Sequence, residues 1–465
     1  MPSALLFSFL PYEHVLRLLY SSACYGTITK ITHPTQEDCT MPNFSLSDDV
    51  FSRAATQFQT PFHLYDEAGI RQRAKCLQQA FSGVPHFQEY FAVKALPNPT
   101  ILRLLREEGC GVDCASLTEL MLADACGFHD SDIMFSANNV PPEEFVLARK
   151  LNAYINLDDI THIPLLANNG GIPKTICLRF NPGGSFRIGT TIMGDPGEAK
   201  YGMTRPQLTE ALLQLKALGA ESFGLHSFLS SNTTDPAYYP ALAHILFETA
   251  VELAHETGMK PAFINLSGGI GIPYRPDGAP ADIQAIGAGV AKAYADVFVA
   301  QGFTDVAIKA ELGRWMTGPF GWLVAHVINE KNIHKHYFGV DASACDLMRP
   351  AMYGAYHHIT AIGKRDLPST SIVDITGSLC ENNDKFAVDR ALPPLAVGDL
   401  LVIHDTGAHG LSMGYNYNGK LRCKEVLYTK DDQFTCIREA ETPKEYFATL
   451  QNDPCYAQLK KTYLD

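Results

Sequence analysis

Eight short apolar runs, each followed by a longer amphipathic stretch, occupy residues 85–318, and this rhythm limits the possible folds more than any other feature. The runs are FQEYFAVKAL, CGVDCAS, DIMFSAN, AYINLD, TICLRFNP, SFGLHSF, AFINLSGG and VAIKAELGR. Between them lie helical patterns such as TILRLLREEG, LTELMLADACG, EEFVLARKL, RPQLTEALLQLKALG, YPALAHILFETAVELAHETG and ADIQAIGAGVAKAYADVFVAQG. Most are long enough to cross back over a parallel sheet. Eight β/α units in about 250 residues predict an α/β fold, a closed (β/α)8 TIM barrel. An open doubly wound sheet is the alternative.

After residue 318 the period changes to closely spaced strand-like runs (GWLVAHVI, HYFGVDA, SIVDITG, DLLVIHD, CKEVLY, QFTCIREA) broken by Gly, Pro, Asp and Asn. That is the pattern of a β domain. The run TPFHLYD precedes the barrel, so the expected organisation is a segment 41–74 contributing to the β domain, a barrel at 75–318 and a C-terminal β domain at 319–465. Residues 1–40 read as an appendage outside the fold. Their apolar run ALLFSFL is too short to span a bilayer and lacks the basic start of a secretory signal. Met41 opens an ordinary helix entry with Ser45 or Ser47 available as cap. No other stretch approaches membrane-spanning length.

The net charge of −13, from 37 Lys+Arg and 50 Asp+Glu, argues against a nucleic-acid or anionic-membrane binder. Twelve cysteines are scattered singly from Cys24 to Cys455, as expected of reduced thiols in a cytoplasm. No zinc spacing is present. His334 with His336, and His357 with His358, read as surface or packing histidines, so no metal is expected.

In such a barrel the chemistry sits where the strands end. The first strand ends in Lys94, a cation costly to bury unless it is used, because desolvation disfavours its charge and lowers its pKa, and so a candidate Schiff-base amine. The seventh ends in Ser267-Gly268-Gly269, where backbone N–H groups can approach a phosphate. The eighth ends in Glu311 and Arg314, an acid able to hold a pyridinium nitrogen and a guanidinium able to grip an anion. The sixth ends in His226-Ser-Phe228-Leu-Ser-Ser231, an aromatic face and hydroxyls. Together these are the parts required by pyridoxal 5'-phosphate.

The chain resembles the alanine-racemase-like (fold type III) pyridoxal-phosphate decarboxylases, in particular the diaminopimelate and D-ornithine/D-lysine decarboxylases. The resemblance rests on YFAVKALPNPTIL, GVDCASLTEL, ELGR, VDASACDLMRPAMYGAYHHI, GSLCENND and GDLLVIHDTGAHG, and covers residues 60–428. It implies that Lys94 bonds to the cofactor aldehyde, that Glu311 meets the ring nitrogen, and that Gly268, Gly269 and Ser231 contact phosphate, with Phe228, Arg314 and His409 completing the cofactor site. Arg314, Arg349 and Tyr353 match positions that hold a distal substrate carboxylate, and Tyr417 belongs with the substrate contacts. Cys380 matches a proton donor at Cα and Glu381 an acid for a distal amine, both supplied by the second subunit of a homodimer with shared active sites.

Several family positions differ. HxHxGS appears as HSFLSS, so Phe228 replaces a stacking histidine. GAY becomes GAH, placing His409 where a phosphate-binding tyrosine is usual. EPGR becomes ELGR, Ser267 replaces a glycine, and the loop at 186–202 is reshaped. These changes crowd the cofactor and pocket. With Glu381 retained, they favour D-ornithine or D-lysine as substrate, giving putrescine or cadaverine and CO2. An intact distal-carboxylate grip would instead make it a meso-diaminopimelate decarboxylase. An inactive regulatory homologue and a racemase rank behind both.

Overall fold

The computed structural model describes residues 46–185 and 197–464. The expected appendage at 1–40 and residues 186–196 of the reshaped loop lie outside the described residues.

Strand β1 (Phe62–Asp66) precedes a closed parallel barrel of β2 (Gln88–Ala92), β3 (Gly111–Cys114), β4 (Ile133–Ala137), β5 (Tyr154–Leu157), β6 (Thr175–Arg179), β7 (Ser222–His226), β8 (Lys260–Asn265) and β9 (Ala307–Ala310). These are the eight expected strands. The barrel closes through β2 and β9, where Gln88 pairs with Lys309 and Glu89 with Ala310. Outer helices alternate with the strands, including one short helix, His162–Asn168, whose seven residues carry too little periodicity to stand out in sequence. The stretch Ile283–Gln301 is long and apolar enough to cross a membrane by length and composition. This corrects the expectation that no other stretch approaches membrane-spanning length, although the sequence does mark it as a crossover helix. Here Ile286, Val290, Tyr294 and Val297 are buried in the fold, so its apolar character reflects packing.

Inside the barrel Tyr90, Met134, Cys177 and Phe263 pack together. Among them lies an unforeseen cation, Lys309, whose Nζ donates to Tyr90 Oη at 2.7 Å and sits 4.5–5.2 Å from the rings of Tyr90, Tyr154 and Phe263. Burial pulls this ammonium down to about 8.

The β domain comprises β10 (Gly321–Asn332), β11 (His336–Val340), β12 (Ile359–Ala361), β13 (Ser371–Thr376), β14 (Lys385–Leu392), β15 (Leu400–Ile403), β16 (Lys424–Tyr428) and β17 (Phe434–Arg438). With β1 they form a nine-stranded sheet in which β1 lies between β10 and β16, antiparallel to one and parallel to the other. All five residues of β1 are buried, which explains its unbroken run FHLYD. β12 and β14 were not expected: the first is three residues long, and the second interleaves Lys385, Asp389 and Arg390 with its apolar positions. The chain leaves the sheet at Asp66, whose carboxylate caps the helix Glu67–Ala80. The division drawn at 74/75 therefore falls within a continuous helix. Upstream, Ser47 occupies the N-cap of the helix Asp48–Gln57 without a side-chain cap bond.

Glu425 fastens the sheet to the barrel. Its carboxylate, 1% exposed, accepts from Tyr65 Oη at 2.7 Å, Asn98 Nδ2 at 2.8 Å and Arg438 Nε at 2.5 Å. Asn98 in turn caps the helix that follows Lys94. Glu425→Ala leaves two buried donors unmatched and is expected to cost about 3 kcal/mol. Urea unfolding should show a lower midpoint with an unchanged slope, and an unchanged midpoint would remove this carboxylate from the stability account.

Candidate active site

Because all barrel strands run the same way, their C-terminal ends meet on one rim. Lys94 follows β2 in a short turn, and its Nζ lies 3.6 Å from Asp113 Oδ2 at the end of β3. The lysine side chain is 52% exposed and surrounded by protein, as expected of a group lining an open mouth. Burial pulls its pKa down, but Asp113, Glu311 and Glu119 together hold it above the ordinary lysine value. The expected depression is thus reversed by neighbouring carboxylates. Asp113 itself is pushed well up by burial and by Glu311, with Lys94 opposing, so the three groups titrate as a set.

Glu311, just past β9, collects three donors from the ends of β4 and β8 and the turn after β8. Its Oε1 accepts from Asn265 Nδ2 at 2.6 Å and Ser136 Oγ at 3.3 Å, and its Oε2 from Ser267 Oγ at 2.9 Å. His226 Nε2 lies 3.3 Å from Oε2, out of line for a good hydrogen bond. Burial raises the carboxyl, but His226, Lys94 and Ser267 outweigh it and hold it below the usual range. Burial also lowers His226, so Lys94 and the neutral donors are the firmer part of that support.

Ser267 takes φ = +57°, a left-handed conformation that costs a serine more than a glycine. Its hydroxyl bond to Glu311 accounts for a side chain at this position. A Cβ on Gly268 would meet Glu311 O at 2.9 Å and Phe228 Cε2 at 3.8 Å. One on Gly269 would meet Tyr238 Cε1 at 2.9 Å and Ser230 O at 3.0 Å. Side chains are therefore excluded here, leaving a backbone cradle with Phe228 beside it. Ser231 lies at the end of the same loop, half-buried.

A second group gathers beside the rim. Arg314 opens a short helix after β9 and donates to Tyr274 Oη. Arg349 lies 4.5 Å from the Tyr274 ring centroid, and its Nη1 is 3.0 Å from His357 Nε2. Burial and Arg349 push the His357 imidazole down to about 3, so Nε2 accepts from the guanidinium while Nδ1–H donates to His404 O at 2.7 Å. Neither Arg314 nor Arg349 forms an ion pair among the described residues. His409, half-buried at φ = +54°, bonds through its backbone N–H to Ala95 O at 2.9 Å, beside Lys94. Burial, then Arg314, Lys94 and Arg349, keep its ring neutral.

The near carboxyl, Asp405, is raised by burial to about 7, with Arg349 opposing. Its folded pKa exceeds its unfolded one, so its contribution to stability is complete below about pH 4 and is lost as pH rises through 7. Asp405→Asn should flatten the fall in stability between pH 5 and pH 8, by up to about 2.5 kcal/mol. Urea midpoints at the two pH values check this, and parallel curves for both proteins would refute it.

Lys94, Glu311, Gly268, Gly269, Phe228, Arg314, Arg349 and His409 thus fall on or beside one rim. Tyr353 shares the short helix of Arg349 and interacts with it electrostatically, while among the described residues no contact brings Cys380, Glu381 or Tyr417 to the rim; all four are exposed, Tyr353 by 64% and Tyr417 by 47%. Cys380 N–H donates to Asn418 Oδ1 at 2.6 Å, so the Cys380 and Tyr417 loops adjoin. Asp113, Asn265, Tyr274 and His357 were missed as site residues. Asp113 alone had a signal, an acid at a strand end.

The rim fits a phosphorylated pyridine aldehyde. It offers an amine, an acid held charged, a cradle without side chains, and buried polar atoms with no aligned hydrogen-bond partner on Asp113 and His226. Residues 67–318 match the family model for the pyridoxal-binding domain of pyridoxal-dependent decarboxylases. The chain is 38% identical over 421 residues to Protein TabA of Pseudomonas amygdali pv. tabaci, covering 90% of this chain and 97% of that one. It is 34% identical over 392 residues to diaminopimelate decarboxylase of Methanothermobacter thermautotrophicus, covering 83% and 91%. The crystal structure of diaminopimelate decarboxylase from M. jannaschii superposes with a TM-score of 0.79 at 28% identity, covering 85% of this chain and 93% of that one. The chain belongs to the pyridoxal-dependent decarboxylases of basic amino acids, carboxy-lyases with the fold type III barrel and β domain that take pyridoxal 5'-phosphate as cofactor.

Proposed function

We propose that the substrate is a diamino dicarboxylic acid of the meso-diaminopimelate type, decarboxylated at its D-configured Cα to give L-lysine and CO2. The observation that carries this reading is the pair Arg314 and Arg349 around Tyr274, two guanidinium groups beside the reactive rim that form no ion pair among the described residues. A distal carboxylate supplies the missing charge. The D-ornithine/D-lysine preference drawn from Phe228, His409 and Ser267 gives way, because a substrate ending in an amine would face these cations. The curated diaminopimelate decarboxylases among its relatives point the same way.

When bound, pyridoxal phosphate acts as an electron sink for the pair left by the departing carboxylate. Gly268, Gly269 and Ser231 would hold its phosphate, Phe228 would cover its ring, and Glu311 would keep the ring nitrogen protonated. Lys94 carries the reactive Nζ, with Asp113 beside it to take or return a proton. Arg314 and Arg349 anchor the distal end, which fixes the Cα carboxylate relative to the rim. Cys380 returns a proton to Cα, and Glu381 meets the distal amine.

The last two roles require two copies of the chain. Support comes from the exposure of Cys380, Glu381, Tyr353, Met352 and Tyr417, polar and apolar groups left open on one chain. The working unit is then a homodimer with shared active sites. Purified protein with pyridoxal phosphate, incubated with meso-diaminopimelate, D-lysine, D-ornithine and their L-forms, should release CO2 and L-lysine from the first. Diamines from D-lysine or D-ornithine, with meso-diaminopimelate untouched, would reverse the assignment.

A further inference from the structure

The arrangement around Tyr274 is repeated next to it. Arg275 and Arg390 lie 4.3 and 4.0 Å from the ring centroid of Tyr356. His357 links the two groups, since its carbonyl accepts from Arg390 Nη1 at 3.0 Å and its ring accepts from Arg349. Four guanidinium groups therefore share two tyrosines and one histidine. Among the described residues none of the four is in an ion pair. The cluster stands out against the chain's net charge of −13.

Like charges gathered at a partly buried site repel, and an anion relieves that cost. Burial and Arg275 both lower the pKa of Arg390, the sign of such repulsion. Asp405 is the carboxyl felt by Arg349, and it gives up part of its charge near neutral pH.

We propose that Arg275 and Arg390, both within 4.3 Å of the Tyr356 ring centroid, form a second anion subsite adjoining the Arg314/Arg349 pair, and that it takes a further carboxylate where a diacid ligand carries one. The inference rests on the diacid reading above and extends it: the site takes diamino diacids, and it binds more tightly those relatives that carry an additional acidic group beyond the distal carboxylate. Arg275 is exposed and Arg390 half-buried, which places the subsite on the outer side of the Tyr274 group.

The test compares glutarate with tricarballylate, the same five-carbon diacid frame bearing a third carboxylate, as competitive inhibitors of the holoenzyme. Tricarballylate should bind about tenfold or more tightly than glutarate. Arg275→Gln should bring the ratio of the two inhibition constants close to one, as should Arg390→Gln; the exposed Arg275 variant guards against disturbance of His357. Equal constants in the native enzyme, or a ratio that survives both substitutions, would overturn the subsite. Dissociation of the protein in sedimentation velocity on Arg275→Gln, with the ratio unchanged, would assign the arginine to contacts between copies and also overturn it. Failure of the diacid reading looks different: glutarate would not compete, or its constant would ignore Arg349→Leu.

Discussion

Lys94→Ala is expected to abolish the borohydride-fixable adduct between the chain and pyridoxal phosphate and to lower kcat by about 10³-fold or more. The reason is positional. Lys94 is the amine placed at the open rim near Asp113 and Glu311, whereas the buried lysine of the barrel, Lys309, is enclosed by Tyr90, Tyr154 and Phe263 and donates to Tyr90. Its depressed pKa makes Lys309 a better nucleophile in isolation, but its cage offers an aldehyde no room. Peptide mapping after reduction locates the adduct, and a label on Lys309 or retained turnover in Lys94→Ala would overthrow the site. A native far-ultraviolet spectrum in the variant would keep the loss chemical, since a half-exposed side chain contributes little to the core.

Arg349→Leu is expected to reduce kcat/KM for meso-diaminopimelate by about 10²–10³-fold, the effect of removing one partner of a desolvated charge pair. Most of the loss should lie in KM, because the guanidinium holds the end of the substrate remote from the bond that breaks. D-Lysine, which has no distal carboxylate, should gain or stay level as a substrate. An equal loss for both would reduce Arg349 to a structural support for His357, with which it bonds at 3.0 Å. Steady-state kinetics on the two substrates separates these outcomes.

The two predictions draw on different depths of the sequence. Lys94 and Glu311 were visible because each ends a strand, and a strand announces itself through a local run of apolar residues. The partners of Glu311 were not visible as partners: Ser136, Asn265 and Ser267 come from β4, β8 and the turn after β8, and only barrel closure brings them to one carboxylate. Ser267 looked like a lost glycine and is in fact a bond to the central acid. Tyr274 looked like loop filler and lies beside two arginines 35 positions apart. The same distinction separates the two substrate readings, since counting altered motif positions weighs residues one at a time, whereas the proposed charge grip is a property of a cluster.

Strand and helix periods, the change of period near residue 318 and the polar residues closing each strand were determined by the chain itself, because burial on one face or two imposes a local pattern. Which of those residues share a proton, oppose each other's charge or leave a cation unmatched was decided by the tertiary structure alone. Electrostatic and hydrogen-bond energies depend on separation in space and on solvent access, and the order of residues along the chain encodes neither.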